Sequence, residues 1–261
     1  MNVIRLMGGL GNQLFQYALG RAQKENGITV RYENSSCLRN ADRRFPRPYL
    51  LDRFQIQVQL APFMKRKFIR QSIGFSMELL KMDNYNFDGY WQYLPFLVDI
   101  LPVLRKEIVL KPEFYTEEFL QLKQDILSTE SVSVHVRRGD YQTHKGVFRD
   151  LKFEYYHGAI KETTGDLFIF SDDIPWCKSV FSEKIFSRRI IFIDLPDYLS
   201  FELMKTCKTH IISNSTYSYW AALLSGNPTR CPQHWLGDAK IDMEELHYPK
   251  EWIKMEDYVV Y

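Results

Sequence analysis

The stretch SVSVHVRRGDY, residues 131–141, combines a strand pattern with charged side chains at the strand's end. Valine alternates with serine or histidine over its first six residues, which predicts a β-strand. His135 lies near the end of this strand, and Arg137, Arg138 and Asp140 follow it. In open α/β sheets, ligands bind just beyond the carboxyl ends of strands. The stretch therefore predicts an α/β sheet with a ligand site at this strand end.

The two arginines indicate the chemistry of the ligand. A guanidinium group is planar, stays charged at physiological pH and can bind two oxygens at once. Arg137 and Arg138 are therefore expected to bind a phosphate or another oxyanion. The alternative is structural: an arginine pair can cap a strand end by pairing with neighbouring carboxylates. The motif alone leaves both open.

The composition is that of an ordinary globular protein, with 261 residues, 45% hydrophobic and 25% charged. A chain of this length buries one large core or two modest ones. Two domains are predicted, residues 1–120 and 121–261. The formal net charge of +2 lacks the basic excess that is typical of nucleic-acid-binding proteins. No nucleic-acid partner is expected.

Cysteine spacing and the first residues bear on the cellular setting. The cysteines show neither zinc-ligand spacing nor a disulfide framework, so free thiols in a reducing cytosol are expected. They are Cys37, Cys177, Cys207 and Cys231. The first residues lack a signal-peptide pattern, which predicts a cytoplasmic protein. The basic run KRKFIR, residues 65–70, favours a solvated helix face but leaves peripheral association with the inner membrane open.

The N-terminal residues predict a βα unit that leads into a parallel strand. Its parts are a strand at 2–7, a glycine turn at 8–11, a helix at 12–26 and a strand at 28–32. The less regular middle, residues 35–112, predicts no sheet, and its expected helices lie around residues 62–70 and 95–108. From residue 131 a second α/β sheet is predicted. Its strand-like runs are residues 131–136, 167–171, 189–193 and 209–213.

The glycine turn GGLGNQ, residues 8–13, is a second candidate binding element. Glycines such as Gly11 let backbone amides approach a ligand, and a helix N-terminus favours negative charge. The turn resembles a dinucleotide fingerprint, with Glu33 at the distance expected for gripping a ribose. Leu14, however, replaces the third glycine. An NAD-linked oxidoreductase and a turn that merely packs helix on strand remain alternatives.

Acidic residues follow another predicted strand. Asp172 and Asp173 follow the run LFIF and Ser171, and one of them could accept hydrogen bonds from the ring donors of guanine. The alternative is a helix N-cap. The chain contains no D-x-D and no second acidic cluster that would hold Mg²⁺ beside a diphosphate. No metal site is predicted.

A third strand end carries four consecutive small polar residues. Capping a helix would need only one of them, so a phosphate cradle is favoured. The four are Ser213, Asn214, Ser215 and Thr216.

Six stretches, taken in order, resemble the α-1,2-fucosyltransferases of glycosyltransferase family 11. They are GGLGNQLFQYA, GYWQYLPF, VSVHVRRGDY, FIFSDDIPWC, ELMKTCK and IISNSTYSYWAALL. The resemblance implies an α/β, GT-B-like fold with two Rossmann-like domains facing a cleft. It also implies inverting transfer of fucose from GDP-fucose to a glycan hydroxyl, usually the 2-hydroxyl of a terminal galactose. Neither a metal nor another cofactor is expected. A non-catalytic glycan- or anion-binding protein remains an alternative.

The resemblance assigns roles within HVRRGDY. Arg137 resembles the arginine that holds the β-phosphate of GDP, and Arg138 supports the site or the fold. His135 resembles the motif histidine near the nucleotide. Asp140 could accept the proton of the acceptor hydroxyl, although two adjacent arginines would lower the pKa that a base needs. Orienting one of the arginines is its alternative role.

The remaining roles lie in the other stretches. Asn12, in the glycine turn with Gly11, resembles the asparagine that reaches the diphosphate and fucose from the opposite domain. Asp172 or Asp173 resembles the guanine-reading acid. The four polar residues 213–216 resemble those that close around the β-phosphate. GYWQYLPF departs from the commoner family spelling, which concerns the acceptor more than the donor. The sequence leaves the acceptor and the oligomeric state open.

Overall fold

The protein is described by a computed structural model that covers residues 1–39, 47–71, 75–139, 141, 150–235 and 248–257. It forms two compact units, the first comprising Met1–Lys111 and the second beginning at Pro112. Asp140 and most of the residues after it up to 149 lie outside the described ranges. Within the described residues, every helix is too short or too polar to span a bilayer.

The first unit contains a sheet of four parallel strands in the order β2-β1-β4-β3. Its elements are β1 (Asn2–Arg5), α1 (Leu10–Glu25), β2 (Val30–Glu33), α2 (Ser35–Arg39), β3 (Phe68–Arg70), β4 (Asn86–Asp88) and α3 (Leu101–Glu107). The predicted βα unit is confirmed. The helix expected around residues 95–108 is present as α3, preceded by short 3₁₀ turns.

Two expectations for the middle of the chain were wrong. The segment expected to be a helix at residues 62–70 ends in β3, and β3 and β4 extend the sheet that was thought absent there. Each strand has only three residues, too few to show alternation. Phe68 is 41% exposed on the edge strand β3.

The second unit contains a sheet of six parallel strands in the order β10-β9-β8-β5-β6-β7. Its strands are β5 (Ser131–Val136), β6 (Asp166–Ser171), β7 (Ile190–Ile193), β8 (Thr209–Ile211), β9 (Thr229–Pro232) and β10 (Ile253–Met255). Its helices are α4 (Glu117–Ser128), α5 (Phe153–Lys161), α6 (Ile174–Val180), α7 (Glu183–Phe186), α8 (Asp197–Thr206) and α9 (Thr216–Ser225). The four strands predicted after residue 131 are confirmed as β5 to β8.

Strand order identifies where each sheet can bind a ligand. In the second unit, the strands following β5 extend the sheet in one direction through β6 and β7, then in the other through β8 to β10. In the first unit the corresponding reversal lies between β1 and β4. Such a reversal is a topological switch point, and ligands bind in the crevice at the carboxyl ends of its strands. The switch points are therefore β5/β8 and β1/β4.

The central strand β5 is buried along its whole length. Val132, Val134 and Val136 join a hydrophobic core that includes Ile169 on β6 and Tyr155 on α5. The serines and the histidine on the other face are buried as well, so their polar atoms need partners. Those partners lie on β8 and in the residues that flank it, and they define the site. The predicted α/β class, with two parallel-sheet units, is confirmed.

Candidate functional site

A line of buried hydrogen bonds joins β5 to β8, and we call it the β5–β8 seam. Ser133 Oγ lies 2.7 Å from His210 Nδ1, and His210 Nε2 lies 2.7 Å from Ser225 Oγ. Nearer the carboxyl ends, His135 Nδ1 lies 2.7 Å from Ser213 Oγ. Buried polar groups must be hydrogen-bonded to avoid a desolvation cost. The seam thus fixes the spacing of the two strands at the switch point.

Both histidines of the seam are neutral at physiological pH. Burial lowers the pKa of His135 to about 3, and the charge of Arg137 lowers it further in the same direction. Burial alone lowers the pKa of His210 to about 3. An imidazole with such a pKa is a poor proton acceptor near neutrality. His135, predicted as catalytic, thus has the properties of a neutral hydrogen-bonding group.

Arg137 and Arg138 lie just beyond β5 and pair with carboxylates that follow β6. Arg137 NH1 is 2.9 Å from Asp172 Oδ2, and Arg138 Nε is 3.1 Å from Asp173 Oδ2. The backbone N–H of Arg138 donates to Asp172 Oδ1 at 2.9 Å. Both arginine side chains are 19% exposed. The strand-end ion pairs considered from the sequence are therefore present.

The two arginines have different neighbours. The Arg138 guanidinium stacks 4.1 Å from the centre of the Trp176 ring. Its partner Asp173 is itself occupied, because Asp173 Oδ1 accepts the backbone N–H of Trp176 at 3.1 Å and so caps α6. Helix capping, one alternative for Asp173, is therefore observed. Arg138 forms a structural cluster with these residues, whereas Arg137 lies nearer the switch point.

The loop after β8 supplies the other side of the switch point. Ser213 and Asn214 are buried. Ser213 Oγ hydrogen-bonds to His135 in the seam, and Asn214 Nδ2 donates to the Trp235 carbonyl at 2.9 Å. Ser215 is the N-cap of α9, which begins at Thr216, but within the described residues its side chain makes no cap hydrogen bond. The first turn of α9 contains no acidic residue. Its N–H groups and positive dipole end suit an anion.

Tyr141 connects the two strand ends of this switch point. Its hydroxyl donates to the carbonyl of Asn214 at 2.8 Å, and its ring centre lies 5.5 Å from the Arg137 guanidinium. The arginine, the tyrosine and the loop after β8 are thus one connected arrangement. Asp140, the predicted base, falls outside the described residues, so its role stays a prediction.

In the first unit, Asn12 lies at the other switch point. The helix begins earlier than predicted, at Leu10, so Gly11 and Asn12 are in its first turn rather than in the glycine turn. Gly8, before the helix, has a φ of 77°. Gln92, from the loop after β4, donates from Nε2 to Asn12 Oδ1 at 2.8 Å. Loops after both β1 and β4 therefore shape this position.

Buried glutamines of α1 are a feature that the sequence prediction missed. Gln13 donates from Nε2 to the carbonyls of Gly8 and Pro48, at 2.9 and 2.8 Å, and its Oε1 accepts from Leu50 N. Gln16 accepts from Met7 N at 2.9 Å. The sequence signal that could have revealed them is two glutamines three residues apart on an otherwise apolar helix face. They hold the loops around the glycine turn.

Glu33, the residue behind the dinucleotide alternative, has structural partners. Its Oε1 accepts the backbone N–H of Ser35 at 2.7 Å, and Oε2 lies 3.6 Å from Arg5 Nε. The side chain is mostly buried. A carboxylate engaged in this way is poorly placed to bind a ribose hydroxyl. All four cysteines are free and buried, as expected.

Fold and site together define a class of protein. Parallel sheets that carry an arginine and a helix N-terminus at the switch point are typical of proteins that bind phosphorylated ligands such as nucleotides. Sequence comparison then identifies the family. The profile of Glycosyl transferase family 11 matches residues 1–256, and the chain belongs to that family. It is a glycosyltransferase by membership.

Two bacterial relatives are similar over most of the chain. An α-1,2-colitosyltransferase of Escherichia coli is 29% identical, over 97% of this chain and 98% of the relative. The O-antigen biosynthesis glycosyltransferase WbnK of Escherichia coli is 28% identical, over 84% of this chain and 89% of the relative.

Solved structures share the fold at low identity. The fucosyltransferase NodZ from Bradyrhizobium superposes with a TM-score of 0.54 and 15% identity. A structure of NodZ α-1,6-fucosyltransferase soaked with GDP-fucose gives a TM-score of 0.52 and 16% identity. Each covers 85% of this chain and 92% of NodZ. The predicted GT-B-like fold class is confirmed.

Proposed function

We propose that this glycosyltransferase moves L-fucose from GDP-fucose to the 2-hydroxyl of a terminal galactose in a glycan, inverting the anomeric carbon. Family membership supports sugar transfer, and the α-1,2 linkage in the name of one relative supports the linkage. The fold shared with a fucosyltransferase that was soaked with GDP-fucose supports the donor. The cytoplasmic setting and the peripheral membrane association expected from the sequence stay predictions.

The observation that carries this proposal is Arg137 at the β5/β8 switch point, across from the N-terminus of α9. Breaking the anomeric C–O bond leaves positive character on the sugar ring and transfers negative charge to the β-phosphate of GDP. A guanidinium beside that phosphate stabilises the transition state more than the ground state. The N–H groups of α9 would bind the same diphosphate.

Arg137, rather than Arg138, is the arginine assigned to this role. Arg138 is held by Asp173 and by the Trp176 ring, in a cluster that also caps α6. Asp172 accepts from both arginines and so orients Arg137 at the strand end. Reading of guanine by Asp172 or Asp173 stays a prediction, because both carboxylates already have partners: the two arginines for Asp172, and Arg138 and the α6 cap for Asp173.

Charge neutralisation by protein groups is proposed to replace a metal ion. In the described ranges, the His, Cys, Asp and Glu side chains form no group of three or more that could hold one. Arg137 and the α9 dipole are the positive groups expected to take over the phosphate charge. With Arg137 and the α9 dipole supplying positive charge at the diphosphate, the transfer is expected to run without added Mg²⁺.

The proton of the acceptor hydroxyl must leave during transfer. His135 is too weakly basic to accept it, since its pKa is lowered to about 3. Asp140 remains the proposed acceptor of this proton. The alternative is that a loose transition state with late proton loss demands little of any base.

Colitose is a second candidate for the transferred sugar, because one relative is named a colitosyltransferase. Colitose is the 3-deoxy counterpart of fucose. A site that hydrogen-bonds the 3-hydroxyl would reject the deoxy sugar by a factor of about 10⁴ to 10⁵. A site without such a partner would use both donors at similar rates. Side-by-side kinetics with GDP-fucose and GDP-colitose therefore separate the two candidates.

A binding panel tests the nucleotide assignment. Thermal unfolding is measured with GDP, NADH and no ligand, and fucose transfer is measured with and without EDTA. We expect GDP alone to raise the melting temperature and EDTA to leave transfer unchanged. Stabilisation by NADH instead, or activity that requires Mg²⁺, would contradict the proposal. GDP binding without release of GDP from donor and acceptor would favour the non-catalytic alternative.

A further inference from the structure

A basic and apolar patch lies along the edge strand β3 of the first unit. Residues 53–77 contain five Lys and Arg residues and no Asp or Glu, although the whole chain has 34 basic and 32 acidic residues. Met64 and Phe68 are each 41% exposed. Lys65, Lys67 and Arg70, all within two positions of them, are exposed as well. We call these five residues the β3 patch.

The backbone of the patch is held by the sheet. The side chain of Asn86, which is fully buried on β4, donates to the Met64 carbonyl at 2.8 Å and accepts the Met64 N–H at 3.4 Å. From Phe68 to Arg70 the chain pairs with β4 as β3. Met64 and Phe68 could turn inward only by breaking these bonds. Their exposure is therefore a property of the folded sheet.

Phe63 supports the exposed ring of Phe68. The two rings meet edge-on, with centroids 5.0 Å apart, and the Arg5 guanidinium lies 4.7 Å from the centre of the Phe63 ring. The Arg70 guanidinium lies 5.6 Å from the centre of the Phe68 ring. Phe68 and Arg70 are two positions apart on a strand, so they share one face of the sheet. An exposed aromatic ring and a cation are thus placed together.

The acidic residue of the adjacent strand is already paired. Asp88, opposite Arg70 in the β3–β4 register, accepts two hydrogen bonds of 2.9 Å from Arg5 NH1. Among the ion pairs of the described residues, none involves Lys65, Lys67 or Arg70. The positive charge of the patch is therefore directed to solvent.

Lysines on an edge strand also keep sheets from joining edge to edge. That role needs charge alone and gives no reason for two exposed apolar side chains in the same stretch. Exposed apolar side chains beside basic ones are typical of surfaces that bind anionic bilayers. There, basic groups contact lipid phosphates, and apolar groups enter the boundary between headgroups and acyl chains.

We propose that the β3 patch docks the protein on an anionic membrane surface. Lys65, Lys67 and Arg70 bind lipid phosphates, and Met64 and Phe68 enter the boundary between headgroups and acyl chains. This assigns a location to the membrane association that the sequence left open. The inference goes beyond sugar transfer and does not depend on which sugar is moved.

Vesicle flotation with the full chain tests this surface. The vesicles contain phosphatidylglycerol and phosphatidylcholine in equal parts, or phosphatidylcholine alone, and the partition coefficient of the protein is measured. We expect binding to the anionic vesicles only, and loss of binding at high salt. One basic side chain at such a surface is worth about fivefold in partition, so the double variant Lys65→Gln, Lys67→Gln should bind about 25-fold more weakly.

A matched control separates the patch from the net charge of the protein. The double variant Lys178→Gln, Lys184→Gln removes the same charge from exposed positions of the second unit. Its partition should stay within about twofold of the wild type, because distant exposed charges are screened. Unchanged melting temperatures show that all these variants are folded.

The apolar side chains give a second signature. Phe68→Gln should weaken partition about three- to eightfold, the worth of burying the exposed part of the ring. An environment-sensitive fluorophore on Phe68→Cys should brighten with anionic vesicles, whereas the same label on Ser179→Cys, an exposed position of the second unit, should not. The native cysteines are buried and therefore react poorly with the label.

Four results would overturn the inference. They are equal losses in the two lysine variants, equal binding to vesicles without anionic lipid, wild-type dimers that Phe68→Gln dissociates, and retention on a soluble polyanion without vesicle binding. The third would assign the patch to self-association and the fourth to another anionic partner. Fucose transfer is measured separately with a soluble acceptor, so none of these results bears on the proposed function.

Discussion

Acidification should destabilise the protein through the two histidines of the β5–β8 seam. Their pKa values are lowered from 6.5 to about 3 in the folded state, by burial and, for His135, also by Arg137. The folded state therefore binds fewer protons than the unfolded state between these values. The stability is fully present above pH 6.5 and is lost as the pH falls toward 3.

The size of this effect follows from proton linkage. Between pH 7 and pH 5, an unfolded histidine takes up most of one proton while the buried one takes up almost none. The loss is about 2 kcal/mol for each histidine and about 4 kcal/mol for the pair. Carboxylates titrate mostly below this interval.

Urea unfolding at pH 7 and pH 5 measures the loss, for the wild type and for His210→Gln. The variant loses one titrating group, so its stability should fall by about 2 kcal/mol less than that of the wild type over this interval. Its lower stability at pH 7, caused by disturbed partners Ser133 and Ser225, cancels in this comparison. Equal losses in the two proteins, or a His210 ring that protonates in the native state near pH 6 by NMR, would refute the reasoning.

Three further substitutions test the site. Arg137→Ala should lower kcat about 10²- to 10³-fold, with a smaller change in KM for the donor. Arg189, which is 51% exposed, is the control, and Arg189→Ala should leave kcat unchanged. Steady-state kinetics measure both. Gly8→Ala should destabilise more than Gly27→Ala in urea unfolding. Both have positive φ, but only at Gly8 would the new Cβ meet Asn12 Nδ2; equal losses would contradict the contact. Ser213→Ala removes the hydrogen-bond partner of His135 Nδ1 and should lower the free energy of unfolding by about 1–3 kcal/mol in urea unfolding. An unchanged unfolding midpoint would contradict the stabilising role of this bond.

Four of the six strands of the second sheet, β5 to β8, were predicted because their runs are strongly apolar or alternate clearly, whereas β9 and β10 were missed. β5 and β6 have six residues each, and their ends carry the charged groups that form the site. Parallel strands bring such ends together, which is why Arg137 and Asp172 meet at 2.9 Å. The sequence could not distinguish ion pairing from ligand binding, since both use the same residues. The structure shows the ion pairs of Arg137 and Arg138 with Asp172 and Asp173.

The first sheet was harder to predict from the sequence, for physical reasons. β3 and β4 have three residues each and depend on pairing with β1 rather than on their own pattern. In β4, the polar Asn86 is fully buried because its side chain donates to the Met64 carbonyl, which the sequence does not reveal. The bond between Asn12 and Gln92 joins residues eighty positions apart. Contacts of this range depend on topology, which short motifs do not encode.

Transfer of fucose to a defined hydroxyl tests the central claim most directly. The purified protein is incubated with GDP-fucose and a panel of galactose-terminated acceptors in the presence of EDTA, and the linkage of the product is determined by NMR. We predict fucose attached in α linkage to the 2-hydroxyl of galactose, with loss of the product in Arg137→Ala. Retention of the donor's anomeric configuration, linkage to another position, or no transfer from GDP-fucose while another sugar nucleotide is used would contradict it.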